Sequence, residues 1–272
     1  MKNNKIKKII LSGGGTAGSV TPLLAIVDEF KKEKLNNYEF LWIGTKKGLE
    51  KKMVQDVKIK FIKINSGKLR RYFSFHNFSD IFLIIFGFFQ SLIILIKYKP
   101  NLMISAGGFV SVPVAFASWI LRVPILIHQQ DARPGLSNKI MSFFAKKITV
   151  TFKKSLNDYS RKAIWIGNPI RSNIEKLKID KKTTIQKIKL NNKKPIILVI
   201  GGGTGSLFIN NLIIKNLEKL TKFCQIIHIT GKNKSINFNI NKINYKVFEF
   251  LDLMKLADVY SIADIVISRC GM

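Results

Sequence analysis

The stretch HQQDARPGLSNK, residues 128–139, sets His128, Asp131, Arg133 and Asn138 in one loop directly after the apolar run PILI. A histidine and an aspartate three residues apart can take a proton from an attacking hydroxyl, the work of a general base. Ligands of open α/β sheets gather at the carboxyl ends of strands, where this loop lies. Three glycine turns accompany it: GGGTAGS at 13–19, SAGGFVSVP at 105–113 and GGGTGS at 201–206. Each follows an apolar strand-like run and opens a helix-like one. Glycine costs more backbone entropy than any other residue, so such turns point to a group that must approach bare backbone, typically a phosphate held by free N–H groups at a helix start. GNPIR at 167–171 adds Arg171 after a rigid Asn-Pro, a position suited to clamping a phosphate.

Several chemistries lack their residues. Strand two ends in WIGTKKG, so Lys46 and Lys47 stand where a dinucleotide site would carry an acid for the ribose. No glycine turn ends in GK[ST], which removes a P-loop. There is no DxD, no HExxH and no catalytic-cysteine signature, and Cys224 and Cys270 have no metal-like spacing. Neither a metal nor a cofactor is expected. The net charge of +30, from 46 Lys plus Arg against 16 Asp plus Glu, suits a polyanionic partner. Lysine is nonetheless scattered among abundant Ile and Asn, as base-composition bias would produce, so only clustered charge counts and no nucleic-acid partner is expected. The apolar part of the basic N-terminus runs straight into glycines and reads as strand one rather than a signal peptide.

These residues need a scaffold, and the 272-residue chain, 47% apolar, is large enough to bury one. Short runs rich in Ile, Leu, Val and Phe at 6–12, 38–44, 58–64, 101–105, 123–128 and 146–151 alternate with longer amphipathic stretches. That rhythm predicts βαβ units and parallel sheets covered on both faces. It breaks at GNPIRSN and restarts at KPIILVIGGGTGSLFIN, where GGGT recurs 188 positions after its first occurrence. Two Rossmann-like domains follow, 1–168 and 169–272, the second small enough to be read as incomplete. IFLIIFGFFQSLIILI at 81–96 is the most apolar helix-like run; at 16 residues with Gln90 inside, it falls short of the ~20 that span a bilayer. Lys68, Arg70 and Arg71, with Tyr72, Phe73, Phe75 and Phe78, precede it. Basic residues beside aromatics suit a helix lying on an anionic membrane, and the same helix could pack against the sheet. Both hold if its amino end faces lipid and the rest faces the core.

GGGTAGSVTP, SAGGFVSVP, HQQDARPGLSN, GNPIR, GGGTGSLFIN, HITGK and ADIVISRCG, in this order and spacing, resemble the MurG family across the whole chain. These are bacterial transferases that add N-acetylglucosamine to lipid I, the undecaprenyl-pyrophosphate-linked muramoyl pentapeptide, to make lipid II. The resemblance implies a GT-B enzyme: two Rossmann-like doubly wound domains facing a cleft, the C-terminal one truncated here, acting peripherally on the cytoplasmic side of the cell membrane. It implies UDP-N-acetylglucosamine (UDP-GlcNAc) as donor, attack by the muramoyl 4-hydroxyl, and inversion without a metal. Carried over by motif, Thr16, Ala17, Gly18, Asp131, Arg171, Gly203 and the backbone at Leu251 bind the donor, while Gly14, Gly15, Gly107 and Gly108 hold the acceptor pyrophosphate.

Three departures bear on mechanism. The family's first loop commonly ends in GGH, a candidate base, where this chain has Ser19; HEQN becomes HQQD; and GGSQGA becomes GGGTGS, leaving Gly203 only its N–H. The basic group is therefore expected from Asp131 or from His128 beside it. The family's donor-ribose glutamate and later glutamine-rich loop would lie beyond Met272, so weak donor binding and slow turnover are expected of a fragment ending there. A lipid-binding module without turnover, or an enzyme for another glycolipid acceptor, stands as the alternative.

Overall fold

The computed structural model describes residues 6–35, 37–46, 48, 50–67, 76–171, 180–191, 194–202, 205–234 and 244–269. The chain divides into two compact units, residues 1–172 and 173–271. In the first, strands β1 (Lys7–Ser12), β2 (Tyr38–Thr45), β3 (Lys60–Ile64), β4 (Leu102–Ser105), β5 (Ile125–Gln129), β6 (Lys147–Val150) and β7 (Ala163–Trp165) form one sheet. Its order is β3-β2-β1-β4-β5-β6-β7 and every pairing is parallel. Helices α1 (Thr21–Lys32), α2 (Glu50–Asp56), α3 (His76–Tyr98), α4 (Ser111–Ile120) and α5 (Leu136–Phe144) provide crossovers. Ile10 on β1 packs into one buried cluster with Leu41, Ile43 and Met103; its neighbours Ile9 and Leu11 pack into another with Trp42 and Ile104. Burial on both faces is why these strands read as continuous apolar runs rather than alternating ones.

The second unit carries α6 (Lys181–Lys187), β8 (Ile196–Ile200), α7 (Leu207–Lys215), α8 (Leu217–Phe223), β9 (Gln225–Ile229), β10 (Tyr245–Phe248), α9 (Leu253–Ile262) and β11 (Ile265–Ser268). Its sheet, β10-β9-β8-β11, is also parallel throughout. Both sheets reverse winding beside their first strand, at β1/β4 and at β8/β11, and each reversal opens a crevice above the strand ends. The three glycine turns follow β1, β4 and β8, the strands that flank those crevices.

Two expectations need correction. Strand β7 was not visible in the pattern, because AIW has only three residues. Helix α3 is 23 residues long, not 16, and its stretch Asp80–Tyr98 is long and apolar enough to cross a membrane. Its exposure follows a face rather than an end. Gly87, Ser91 and Leu95, four apart, are buried, while Phe82, Phe86, Phe89, Ile93 and Ile96 are more than half exposed along its length. Gly87 permits the close approach: an added Cβ would lie 2.1 Å from the Asn65 carbonyl oxygen.

Candidate functional site

The loop after β1 is held from several sides. Trp42, fully buried, donates its indole N–H to the Gly13 carbonyl at 3.1 Å. Ser19, at the position of the family's candidate histidine, donates its hydroxyl to the carbonyls of Gly14 and Thr16, both at 3.3 Å, and so clasps the loop. Gly13 and Gly14 are buried, Gly15 and Thr16 are exposed, and Ala17 and Gly18 are half-buried. Gly15 has φ +86°, a conformation that favours glycine.

The turn after β4 packs directly on this loop. A Cβ on Gly108 would meet the Gly14 carbonyl oxygen at 2.7 Å, so this glycine is required by backbone-to-backbone packing of the two turns. Gly107 and Gly108 have φ of +96° and +95°. The Gly107 N–H donates to Ser105 Oγ at 3.0 Å and its carbonyl accepts from the Ser111 hydroxyl at 3.0 Å. Ahead of α4, the N–H groups of Gly108, Phe109 and Val110 meet no acceptor among the described residues. They form the kind of helix-start amide cluster that receives an anion.

Gln129, missed in the sequence, organises the loop after β5. Its Nε2 donates to the carbonyls of Asp131 and Arg133 at 2.8 and 3.0 Å, and its Oε1 accepts from the Tyr159 hydroxyl and from Asn138 Nδ2. Asn138 Oδ1, buried, has no partner among the described residues and faces Gly107. His128 is buried, with Nδ1 on Thr149 Oγ1 at 3.0 Å and Nε2 on Thr151 Oγ1 at 3.3 Å. Burial lowers its pKa to about 4, with a hydrogen bond to Asn168 opposing the shift. Asp131 is exposed. A hollow of about 570 Å³ beside this loop is lined by Arg133, Leu136, Lys139 and Lys154 together with Asp158, and Asp131 is not part of its wall.

Arg171 departs from the expectation of a free clamp. Its side chain is 7% exposed, and Nε donates to Asp28 Oδ2 at 2.7 Å, with Nη2 at 3.5 Å from Oδ1. The pair ties the GNPIR turn to α1.

In the second unit, Ser206 caps α7, accepting from the Ile209 N–H at 3.5 Å, and Gly205 has φ +73° where a Cβ would strike the Thr230 carbonyl. Asn210 links this end to β9: its Nδ2 donates to the carbonyls of Thr230 and Lys234, and its Oδ1 meets His228 Nε2 at 3.1 Å. His228 Nδ1 meets the Tyr245 hydroxyl at 2.9 Å, and burial holds this histidine's pKa at about 4. Lys234 donates to the Gly205 carbonyl at 3.1 Å. Gly205, Ser206, Lys234, Ser268 and Arg269 line a hollow of about 640 Å³ over the start of α7, with two cations at a helix N-terminus. Leu251 is core, packed with Ile196 and Leu198, which leaves only its backbone for a ligand. Gly203 and the membrane-patch residues Lys68, Arg70, Arg71, Tyr72, Phe73 and Phe75 lie outside the described residues.

Two doubly wound parallel sheets, each with a glycine turn at its switch point, make up the pair of Rossmann-like domains of a GT-B-type fold. Residues 9–150 match the glycosyltransferase family 28 N-terminal domain and residues 196–272 the family 28 C-terminal domain, and the chain belongs to glycosyltransferase family 28. It is 42% identical, over 98% of its length and 74% of the relative's, to the UDP-N-acetylglucosamine--N-acetylmuramyl-(pentapeptide) pyrophosphoryl-undecaprenol N-acetylglucosamine transferase of Clostridium kluyveri. A Bacillus anthracis relative of the same name, numbered 2, is 40% identical over 98% of this chain and 74% of its own. Among solved structures, Acinetobacter baumannii MurG superposes with a TM-score of 0.65 at 22% identity, covering 97% of this chain and 74% of that one. The Neisseria meningitidis UDP-GlcNAc 2-epimerase bound to UDP-GlcNAc superposes at 0.72 with 16% identity, covering 97% and 78%. Both likenesses concern the fold.

Proposed function

We propose that this chain transfers N-acetylglucosamine from UDP-GlcNAc to the C4 hydroxyl of the N-acetylmuramoyl sugar of lipid I, forming lipid II with inversion at the anomeric carbon. The observation that carries this reading is its 42% identity, across nearly the whole chain, to a transferase named for that reaction. Residues 1–168 serve the acceptor and 169–272 the donor.

The proton of the attacking hydroxyl goes to Asp131. That carboxylate is exposed, whereas both ring nitrogens of His128 are engaged and its pKa of about 4 makes it a poor acceptor at neutral pH. His128 instead fixes the end of β5 from which the loop departs. As the hydroxyl oxygen bonds to the anomeric carbon, the bond to the diphosphate oxygen breaks and UDP leaves with that electron pair. Lys234, Arg269 and the start of α7 face the negative charge that develops there. Thr16, Ala17 and Gly18 meet the donor sugar, and the Leu251 backbone meets the base. Gly107 and Gly108 open the amide cluster that takes the acceptor diphosphate. Arg171 reaches a phosphate only if its pair with Asp28 opens.

The exposed face of α3 continues onto α4 and α5 through ring contacts from Phe88 to Phe116, from Phe116 to Trp119 and from Trp119 to Phe144. With Trp119 and Phe143 also exposed, this face suits a monolayer surface at the cytoplasmic side of the membrane, where lipid I is anchored. The test is transfer of labelled N-acetylglucosamine to lipid I, with diacylglycerol as a rival acceptor. Labelled lipid II from wild type, with Asp131→Asn slower by ~100-fold at unchanged donor binding, is expected of a lost general base. Transfer to diacylglycerol alone, or an Asp131→Asn rate equal to wild type, refutes the acceptor or the base respectively.

A further inference from the structure

The first glycine loop already holds a carboxyl group. Glu50, at the start of α2, is fully buried and lies against the Gly13–Gly15 turn. Its Oε2 accepts from the Gly15 N–H at 3.3 Å; its Oε1 accepts from the Thr45 N–H at 2.8 Å and from the Thr45 hydroxyl. A Cβ on Gly14 would come 2.4 Å from Oε1, and one on Gly48 would overlap the carboxylate. Two glycines therefore keep open the space that the carboxylate fills. No ion pair to Glu50 forms among the described residues. A buried carboxylate without a cation persists only where N–H and O–H donors satisfy it, and here a loop amide is one of those donors.

We propose, building on the transferase reading above, that Glu50 is a resident anion: it occupies the oxyanion hole of the first glycine loop, sets that loop's shape, and bars a diphosphate from it. Gly14 and Gly15 then do not bind the acceptor pyrophosphate. Gly14 is buried, and the Gly15 N–H is spent on a negative charge that repels a second one. The loop's outer edge, Thr16 to Gly18, is left for neutral sugar groups, and the diphosphate goes to the amides of the 108–110 turn. Glu50 touches no reacting atom, so it acts as a positioning and charge-selecting residue.

The test uses the full chain with Glu50→Ala and Glu50→Gln. Removing the side chain empties a hole that fits acetate. Acetate at tens of millimolar, against chloride at equal ionic strength, is expected to raise the melting temperature of Glu50→Ala while leaving wild type and Glu50→Gln unmoved. Inorganic pyrophosphate should bind Glu50→Ala at least ~10-fold more tightly than wild type by calorimetry. In turnover, both variants should lose ~10-fold or more in kcat/KM for lipid I, with acetate restoring several-fold in Glu50→Ala alone. Glu50→Gln tests the charge without emptying the site, so it decides the matter if Glu50→Ala does not fold. Wild-type kinetics in Glu50→Gln, or a folded Glu50→Ala indifferent to acetate and pyrophosphate, overturns the proposal. Acetate stabilisation with no transfer even by wild type leaves Glu50's role intact and refutes the transferase reading instead.

Discussion

If the exposed face of α3 is the membrane contact, removing two of its rings should release the protein from lipid by an amount the structure sets. Phe86 and Phe89 are 56% and 54% exposed. An aromatic side chain buries roughly 150–250 Å² when fully enclosed, so about 100 Å² of each ring is free to leave water. At ~25 cal/mol per Å², complete transfer is worth about 2.5 kcal/mol per ring, and immersion to half depth in an interface about half that. The double variant Phe86→Ser, Phe89→Ser should then lose about 2.5 kcal/mol of partitioning, or roughly 60-fold in the vesicle binding constant. Because the buried stripe of α3 is Gly87, Ser91 and Leu95, the fold should tolerate both changes, and an unchanged thermal midpoint checks this. The assay is sedimentation with vesicles of neutral lipid and of neutral plus anionic lipid, each at low and high salt. The ring contribution should survive salt, while attraction between the basic surface and anionic lipid fades as the screening length shortens. A folded double variant that sediments within threefold of wild type on neutral vesicles refutes the assignment of this face.

Two further outcomes concern stability. Asp28→Asn leaves the Arg171 guanidinium buried with a neutral partner, and breaking a buried pair costs about 3–5 kcal/mol, a drop of roughly 6–20 °C in the unfolding of the first unit; calorimetry showing less than about 1 kcal/mol would mean the pair is open in solution. His128 and His228 titrate at about 4 in the fold because burial disfavours the charged ring, against an ordinary 6.5. The unfolded chain therefore binds more protons between those values, so their contribution is fully present above pH 6.5 and is lost as pH falls toward 4, by roughly 3 kcal/mol each at most. His128→Gln with His228→Gln should flatten the melting temperature between pH 6.5 and 4.5, and an unaltered pH profile in that double variant would place the proton uptake elsewhere.

The alternation of strands and helices was readable because parallel strands covered on both faces must be apolar at every position, as Ile9, Ile10 and Leu11 are. The glycine turns were readable because positive φ and tight approach exclude other residues. What escaped was tertiary. Asp28 looks like a solvated helix residue until Arg171, 143 positions later, closes on it. Glu50, in GLEKK, has the appearance of an exposed helix start, and only the fold brings Gly15 and Thr45 around it. Ser19 read as a missing base, yet its hydroxyl bonds to two carbonyls of its own loop, a local motif that small polar residues commonly form. Helix α3 is longer than its apolar run because both its ends, His76–Asp80 and Lys97–Tyr98, are mostly polar and add little to an apolar count.

The repeated GGGT also shows where pattern and chemistry part. In each sheet the turn follows the first strand at the reversal of winding, so geometry alone would give both loops the same ligand. Their surroundings have opposite sign. A buried carboxylate sits against the first and accepts its Gly15 N–H, whereas Lys234 and Arg269 line the hollow over the second. Two unit charges of like sign ~4 Å apart cost about 4 kcal/mol at an effective dielectric of ~20, and an opposite pair gains as much. With Glu50 charged as proposed, that difference favours a diphosphate at the second loop over the first by several powers of ten. The Glu50 proposal thus gives the two turns of the near-repeat different ligands, neutral sugar groups at the first and charge at the second, through one glutamate on α2.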